Sequence, residues 1–305
     1  MQSTELQVVT GAFGYTGRYI AQRLLDRGAT VKTLTGHPDR PNPFGDRVSV
    51  APFSFDNPSA LTRSLEGAET LFNTYWIRFP RGEVTFEKAV QNTLTLLRAA
   101  EDAGVSRIVH VSITNAAAGS ALPYFKGKAA VEEAVKGARM SHAIIRPTLI
   151  FGREDILVNN IAWFLRRFPV FAIPGSGEYR VQPVFVEDVA GIAVEAAGQR
   201  EDVTIDAVGP ETFTFEEMVR LIAEKVGARA MTVHVAPRLV FLLSWLTGRL
   251  VRDVVLTRAE IDGLMAELLV SDGPPTGATR LSEWLEQNAD EVGRSYASEI
   301  RRHYR

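Results

Sequence analysis

The chain contains no cysteine. That excludes a disulfide framework, a thiolate metal site and a cysteine nucleophile, and it suits a reducing compartment. Nor is one charge in excess: 34 basic side chains stand against 36 acidic ones, for a formal net charge of -2. Such a balance leaves no electrostatic footprint for a polyanion, so nucleic acid is not expected as a partner. No apolar run approaches the ~20 residues that a bilayer-spanning helix needs. The longest, "LVFLLSWL" at 239–246, is bounded by Arg238 and Arg249. It is expected to pack as a helix on its own domain, with a peripheral membrane or protein-contact surface as the alternative. A basic segment followed by an apolar one is missing from the N-terminus, where polar Gln2 to Glu5 lead straight into a strand-like stretch; a cytoplasmic location is therefore expected. The 5 histidines never cluster and no G-x-S-x-G elbow occurs, so neither a metal site nor a serine hydrolase is argued.

What is present is a chain of 305 residues, 46% apolar, long enough for one large domain or two unequal ones. Strand-like and helix-like stretches alternate through its first half. "ELQVVT" precedes a helical pattern that Gly28 can end; "TVKTLT", "VSVAP", "ETLFNT", "RIVHVS" and "SHAIIRP" follow, with helical periods at 58–65, 86–103 and 124–135 between them. Alternation of this kind requires right-handed crossovers and a parallel sheet covered on both faces. The fold class expected is therefore α/β, a doubly wound parallel Rossmann-type sheet over residues 1–150. Residues 151–305 are expected to form a smaller α/β lobe for substrate, fed by more than one crossing of the chain. Thr214 with Glu217 and Thr257 with Glu260 read as capping boxes, and Asp188 as the N-cap of the helix after "QPVFV".

The densest local signal is "VVTGAFGYTGRYIAQRLL" at 8–25. Three glycines, Gly11, Gly14 and Gly17, lie between the first strand and the first helix. A phosphate-binding turn needs one glycine for the sharp bend, one for close main-chain approach, and one for helix-on-strand packing. The helix that opens near Tyr15 would aim its positive end at the pyrophosphate. Farther on, Tyr124 and Lys128 stand four apart at the start of a helix, so both emerge on one face. A neighbouring ammonium stabilises a phenolate and draws the phenol pKa down, which suits proton delivery to a carbonyl.

The chain resembles the atypical or extended short-chain dehydrogenase/reductase superfamily, closest to proteins like the 39 kDa accessory subunit of respiratory complex I and to NmrA-like proteins. The resemblance is carried by "TGAFGYTGR", "ALTRSLEGAETLFNT", "NTLTLLRAAEDAGVSRIVHVS", "YFKGKAAVEE", "IIRPTLIFG" and "QPVFVEDVA", nearly the whole chain. It implies a catalytic set of Ser112, Tyr124 and Lys128, with the serine on the substrate oxygen. It implies coenzyme contacts from Thr10, Gly11, Phe13, Gly14, Tyr15 and Gly17, from Asn73 and Lys128, and from the main chain at Pro147. Tyr75, Trp76 and Thr114 are candidates for the substrate pocket. No acidic residue ends the second strand, where NAD would want one, and Gly36 stands where relatives often carry Arg; His37 and Arg40 can take a 2′-phosphate, so NADP is the coenzyme expected, with NAD the alternative. The implied activity is hydride transfer between nicotinamide and a carbonyl or alcohol on a small-molecule substrate, with a sugar-nucleotide epimerase or dehydratase as a variant within that reading. The alternative is a non-catalytic redox sensor or assembly protein. Substrate identity and oligomeric state are not legible.

Overall fold

A computed structural model describes residues 5–303. The expectation about the N-terminus falls partly on residues 2–4, outside the described residues. The elements are β1 (Leu6–Thr10), α1 (Tyr15–Asp26), β2 (Thr30–Thr35), β3 (Val48–Pro52), α2 (Pro58–Leu65), β4 (Ala68–Asn73), α3 (Phe86–Asp102), β5 (Arg107–Val111), α4 (Pro123–Lys136) and β6 (Ser141–Pro147). There follow β7 (Leu149–Phe151), α5 (Leu157–Arg167), β8 (Val170–Pro174), β9 (Arg180–Val181), β10 (Pro183–Phe185), α6 (Val186–Ala197) and β11 (Val203–Ala207). The chain continues through β12 (Phe213–Thr214), α7 (Phe215–Lys225), β13 (Met231–Val235), α8 (Pro237–Val251), α9 (Arg258–Met265) and α10 (Leu281–Asn288). Two compact units result: one takes residues 1–147 and 189–206, the other residues 148–188 and 207–305.

The first unit holds a seven-stranded sheet in the order β11-β6-β5-β4-β1-β2-β3, with β1 to β6 paired in parallel. The strands are apolar on both faces because helices cover both: α2, α3 and α4 pack in a row, while α1 adjoins the 189–197 stretch of α6 through Arg23 and Gly191. Val8, Leu34, Leu71, Leu96, Ile108 and Ile144 form the core between sheet and helices. This is the Rossmann-type order expected from the alternation, and it reverses direction between β1 and β4. In open α/β sheets that reversal opens a crevice at the carboxyl ends of the strands, where ligands bind.

Arg107 ties the far side of this sheet together. Nearly buried at the start of β5, it donates from Nε to the Ala196 carbonyl at 3.0 Å, from Nη1 to Ser141 Oγ at 3.1 Å and from Nη2 to the Glu201 carbonyl at 3.0 Å. Arg107→Met keeps the stem but leaves those acceptors without a donor. A loss of about 3 kcal/mol is expected in urea denaturation, since each buried acceptor left unpaired costs about 1–3 kcal/mol.

The second unit has its own core, around Phe151, Ile161, Ile173, Met218, Ile222 and Leu285. Both capping boxes form as the sequence suggests, Thr214 with Glu217 and Thr257 with Glu260. Asp188 is not an N-cap: α6 begins two residues earlier, at Val186, and the Asp188 carboxylate instead accepts from the backbone N–H groups of Ala278 and Thr279 at 2.9 and 2.8 Å. The helix carrying "LVFLLSWL" also departs from expectation. Only Val240, Ser244 and Gly248 of α8 are buried, a single stripe at a spacing of four, while Leu239, Phe241, Leu242, Leu243, Trp245, Leu246 and Leu250 are each 40% or more exposed. No helix among the described residues is long and apolar enough to cross a membrane.

Candidate functional site

The carboxyl ends of β1 and β4 are fastened to one another by Thr10. Its hydroxyl accepts from the N–H groups of Thr74 at 2.7 Å and Tyr75 at 3.0 Å, and Thr74 Oγ1 donates back to the Thr10 carbonyl at 2.5 Å. From that clasp the chain turns at Gly11, with φ of +67°, where a side chain would be strained. Gly14 caps α1 with no side-chain partner, and no acidic residue lies in the first turn to occupy its positive end. Gly17 faces the loop: a Cβ there would stand 2.4 Å from the Gly11 carbonyl oxygen and 2.8 Å from its carbon. Helix and loop therefore touch main chain to main chain; the N–H groups of Gly11, Ala12 and Gly14 donate to the Leu34 carbonyl, Thr33 Oγ1 and the Gly11 carbonyl at 2.8, 3.0 and 2.8 Å, and no side chain caps the start of α1. Phe13 and Tyr15 are partly buried beside the loop, and the Tyr15 ring meets Tyr19 edge-on.

Beyond β2, Gly36 is exposed, with nothing within 4 Å of the place a Cβ would take. The turn that follows brings His37 and Arg40 together through a bond from the Arg40 N–H to the His37 carbonyl, 3.2 Å. Among the described residues of β2 and this turn the only carboxylate is the exposed Asp39.

The second group of candidates gathers where β5 ends. Lys128 is 4% exposed on α4, donates to the Val111 carbonyl at 2.9 Å, and holds its ammonium 4.9 Å from the centre of the Trp76 ring. Burial lowers its pKa to about 7, with the Glu132 carboxylate opposing the shift. Glu132, one turn on, is itself buried and held by Arg146 at 2.9 and 2.5 Å. Ser112 follows Val111 directly, and its buried hydroxyl has no hydrogen-bond partner. Thr114 is buried two residues later, with its N–H on the Pro147 carbonyl at 3.0 Å.

Tyr124 is partly buried one turn before Lys128, within an aromatic cluster: Trp76, Phe86 and Phe125 meet its ring at 6.0, 5.9 and 5.6 Å. The indole of Trp76 lies flat on α4 because residue 127 is glycine, where a Cβ would come within 2.9 Å of the ring. Tyr75 turns the other way. It packs against Phe53 and Phe55, accepts from Asn92 Nδ2 at 2.8 Å, and burial raises its pKa. The two adjacent aromatics thus serve different clusters.

Two buried residues complete the picture. Asn73 ends β4, where its Oδ1 accepts from the Tyr75 N–H at 3.1 Å and its Nδ2 lies 3.1 Å from His110 Nδ1. His110, on β5, is fully buried; its other ring nitrogen has no partner, and burial, then the charge of Lys128, hold its pKa well below the ordinary value. A lone histidine in an apolar strand carries no sequence signal that separates it from core, and it went unmarked for that reason. Ser112 Oγ, Trp76 Nε1 and His110 Nε2 are therefore three buried polar atoms without partners, all around Lys128. Buried polar atoms are rarely orphaned, so each calls for an external partner.

Residues 11–156 match the NAD(P)H-binding family model. The chain is 29% identical over 288 residues to NADH dehydrogenase (ubiquinone) 1 alpha subcomplex subunit 9, mitochondrial, of Arabidopsis thaliana, covering 87% of this chain and 70% of that protein. The chain spans about two thirds of the length of the mitochondrial relatives that it matches. A ceramide reductase of Caulobacter vibrioides is 29% identical over 230 residues, 74% of this chain and 72% of that protein. Among solved structures, the triphenylmethane reductase of Citrobacter sp. complexed with NADP(H) superposes with a TM-score of 0.76 at 19% identity, covering 92% of this chain and 99% of that one, which establishes the fold. The glycine turn, the strand order and these likenesses agree: residues 11–156 form an NAD(P)H-binding domain on a Rossmann-type fold, and the chain as a whole is similar to mitochondrial NADH dehydrogenase subunits and to a ceramide reductase.

Proposed function

We propose that this protein is an NADP-dependent oxidoreductase that reduces a carbonyl, or oxidises the corresponding alcohol, on a small-molecule substrate. The observation that carries the reading is the buried Lys128 ammonium beside the unpartnered Ser112 hydroxyl, one helical turn from Tyr124. The start of α1, with no side-chain cap, no acidic residue in its first turn and glycine at 11, 14 and 17, fits a pyrophosphate, and a Cβ at Gly17 would push the helix off the Gly11 main chain. His37 and Arg40, with open space at Gly36 and no carboxylate ending β2, favour a 2′-phosphate over a free hydroxyl. A bound nicotinamide supplies or accepts the hydride. Ser112 donates a hydrogen bond to the substrate oxygen and fixes it, and the Tyr124 hydroxyl delivers the proton to that oxygen. The Lys128 charge stabilises the phenolate left behind, so that a phenol normally near pKa 10 works at neutral pH.

Because burial brings Lys128 to about pKa 7, the reading makes a pH prediction. NADPH oxidation with an aldehyde and quinone panel is expected to show kcat/KM falling as pH rises through about 7, where the ammonium is lost. Lys128→Arg, whose charge does not titrate, should move that break upward. A profile flat from pH 6 to 9 in both would contradict the role. Stability has the opposite sign. Between about 7 and the ordinary lysine value the unfolded chain takes up a proton that the folded chain refuses, so stability rises with pH across that window, and Lys128→Met should flatten the rise.

A second reading, a coenzyme-binding sensor or assembly protein without turnover, is favoured by one observation: the Trp76 indole covers the Lys128 ammonium, which already spends a hydrogen bond on the Val111 carbonyl. Coenzyme binding with no oxidation of NADPH across the panel would select it.

A further inference from the structure

The second unit carries two features for which neither reading has a use. The first is a cavity of about 370 Å³ into which four arginines converge, Arg166, Arg167, Arg229 and Arg294. Arg166 donates to the carbonyls of Val292 and Ala289 at 3.0 and 2.6 Å, and Arg167 to those of Gly293 and Arg294 at 3.2 and 2.8 Å. Carbonyls hold a guanidinium in place without neutralising it. Asp290 lies 3.7 Å from Arg294, but both are exposed, and such a pair contributes little. The cavity is therefore concave, preorganised and cationic, which suits an oxyanion with several acceptor oxygens.

The second feature begins at the walls of that cavity. Arg167 leads through Phe168 into β8, and Arg229 leads through Ala230 into β13. The two strands pair in parallel with Val170 opposite Met231 and Ala172 opposite Val233. Side chains alternate along a strand, so these residues share one face while Ile173 turns into the core. On that face Val170, Met231 and Val233 are exposed, Met231 by 65%, and Phe168 is exposed beside them. Helix α8 packs against β8 and adds Leu239, Phe241, Leu242, Leu243, Trp245 and Leu246, with Leu250 exposed by 77%. No acidic residue lies on α8. Its charges are Arg238, Arg249 and, at its C-cap, Arg252; the Arg249 guanidinium sits 4.8 Å over the Trp245 ring. A contiguous apolar surface of this size is rarely left to water.

We infer that this face is a peripheral docking surface for an anionic phospholipid bilayer, with a lipid phosphate in the four-arginine cavity and the β8–β13 face and α8 lying at the boundary of headgroups and acyl chains. Charge decides the occupant. An apolar face whose helix carries arginines and no carboxylate, with tryptophan among them and the four-arginine cavity beside it, complements a surface that is anionic at its edge and hydrocarbon beneath. A second copy of the chain would present the same uncompensated arginines to them. At 15 residues α8 is about 22 Å long, too short to span the ~30 Å hydrocarbon core, so it lies in the plane.

Flotation with phosphatidylcholine vesicles, with and without phosphatidylglycerol, tests the inference. At least about tenfold more protein is expected with the anionic vesicles, the gain being lost at high salt. Both L242E/L246E and R229E/R294E should lose at least about tenfold in vesicle binding, while keeping the wild-type thermal melt and coenzyme affinity. All four positions are exposed, so folding should survive. Equal binding to neutral vesicles, no binding to either, or binding that survives both double variants would overturn it. So would a dimer in light scattering that L242E/L246E dissolves, which assigns the face to a second copy. Binding of soluble glycerol phosphate as tightly as vesicles would assign the cavity to a free phosphate ester instead. Because the coenzyme turn lies in the other unit, each of these outcomes is independent of whether the protein turns over NADPH.

Discussion

Tyr124→Phe is expected to lower kcat by about 10²–10⁴, the range that a positioned general acid supplies. Coenzyme affinity and the thermal melt should stay close to wild type. The reason for the separation is local. The ring of Tyr124 packs against Trp76, Phe86 and Phe125, and phenylalanine keeps every one of those contacts. What is lost is a single oxygen. A variant that turns over as fast as wild type would remove Tyr124 from the chemistry, and one that melts early would mean that the hydroxyl serves the fold. Stopped-flow measurement of NADPH oxidation beside a melting curve distinguishes these outcomes.

Gly17→Ala is the second large expected effect, and it strikes binding rather than chemistry. Its new methyl would stand 2.4 Å from the Gly11 oxygen, 2.8 Å from the Gly11 carbon and 3.1 Å from the Thr10 oxygen. These are main-chain atoms, held by the Thr10 clasp to β4 and by the Gly11 N–H on the Leu34 carbonyl at 2.8 Å, so they cannot swing aside as a side chain would. Either α1 moves off the sheet or the turn opens. Both displace the start of α1, where the proposed pyrophosphate site lies. Forced movements of this size cost about 1–3 kcal/mol, which read as coenzyme affinity is a fall of up to about a hundredfold. Circular dichroism beside the titration should report a folded protein; a variant that fails to fold would place the cost in the fold and not in coenzyme binding.

Much of the first unit was legible because its signals are local. The run from β2 to α2 needed only apolar stretches bounded by glycine, proline and aspartate, and β2, β3, α2 and β6 end where those residues place them. The glycine turn was legible because each of its glycines has a separate steric task. Asp188 was misread because a carboxylate at a helix start can cap either that helix or a distant loop, and its partners Ala278 and Thr279 lie 90 and 91 residues away in sequence. The exposure of α8 was illegible for a related reason: an apolar run specifies a preference for leaving water, not the neighbour that satisfies it. The same limit hid the Trp76 indole lying over Lys128, since a glycine at 127 gives no hint of which ring will use the space. His110 was hidden by its setting, between apolar neighbours on a strand whose one other polar residue, Arg107, stands at its start. Short-range steric demands survive in sequence, whereas pairings made through tertiary contact do not.

Lys128 links the two readings of function. Its ammonium is at once the group that would acidify Tyr124 and the group that Trp76 now covers. Both roles presuppose a pyridine nucleotide on the glycine turn. Isothermal titration of the wild-type protein with NADPH, NADP⁺, NADH and NAD⁺ tests that most directly. Saturable heat is predicted, stronger for the phosphorylated pair; silence toward all four would contradict the account.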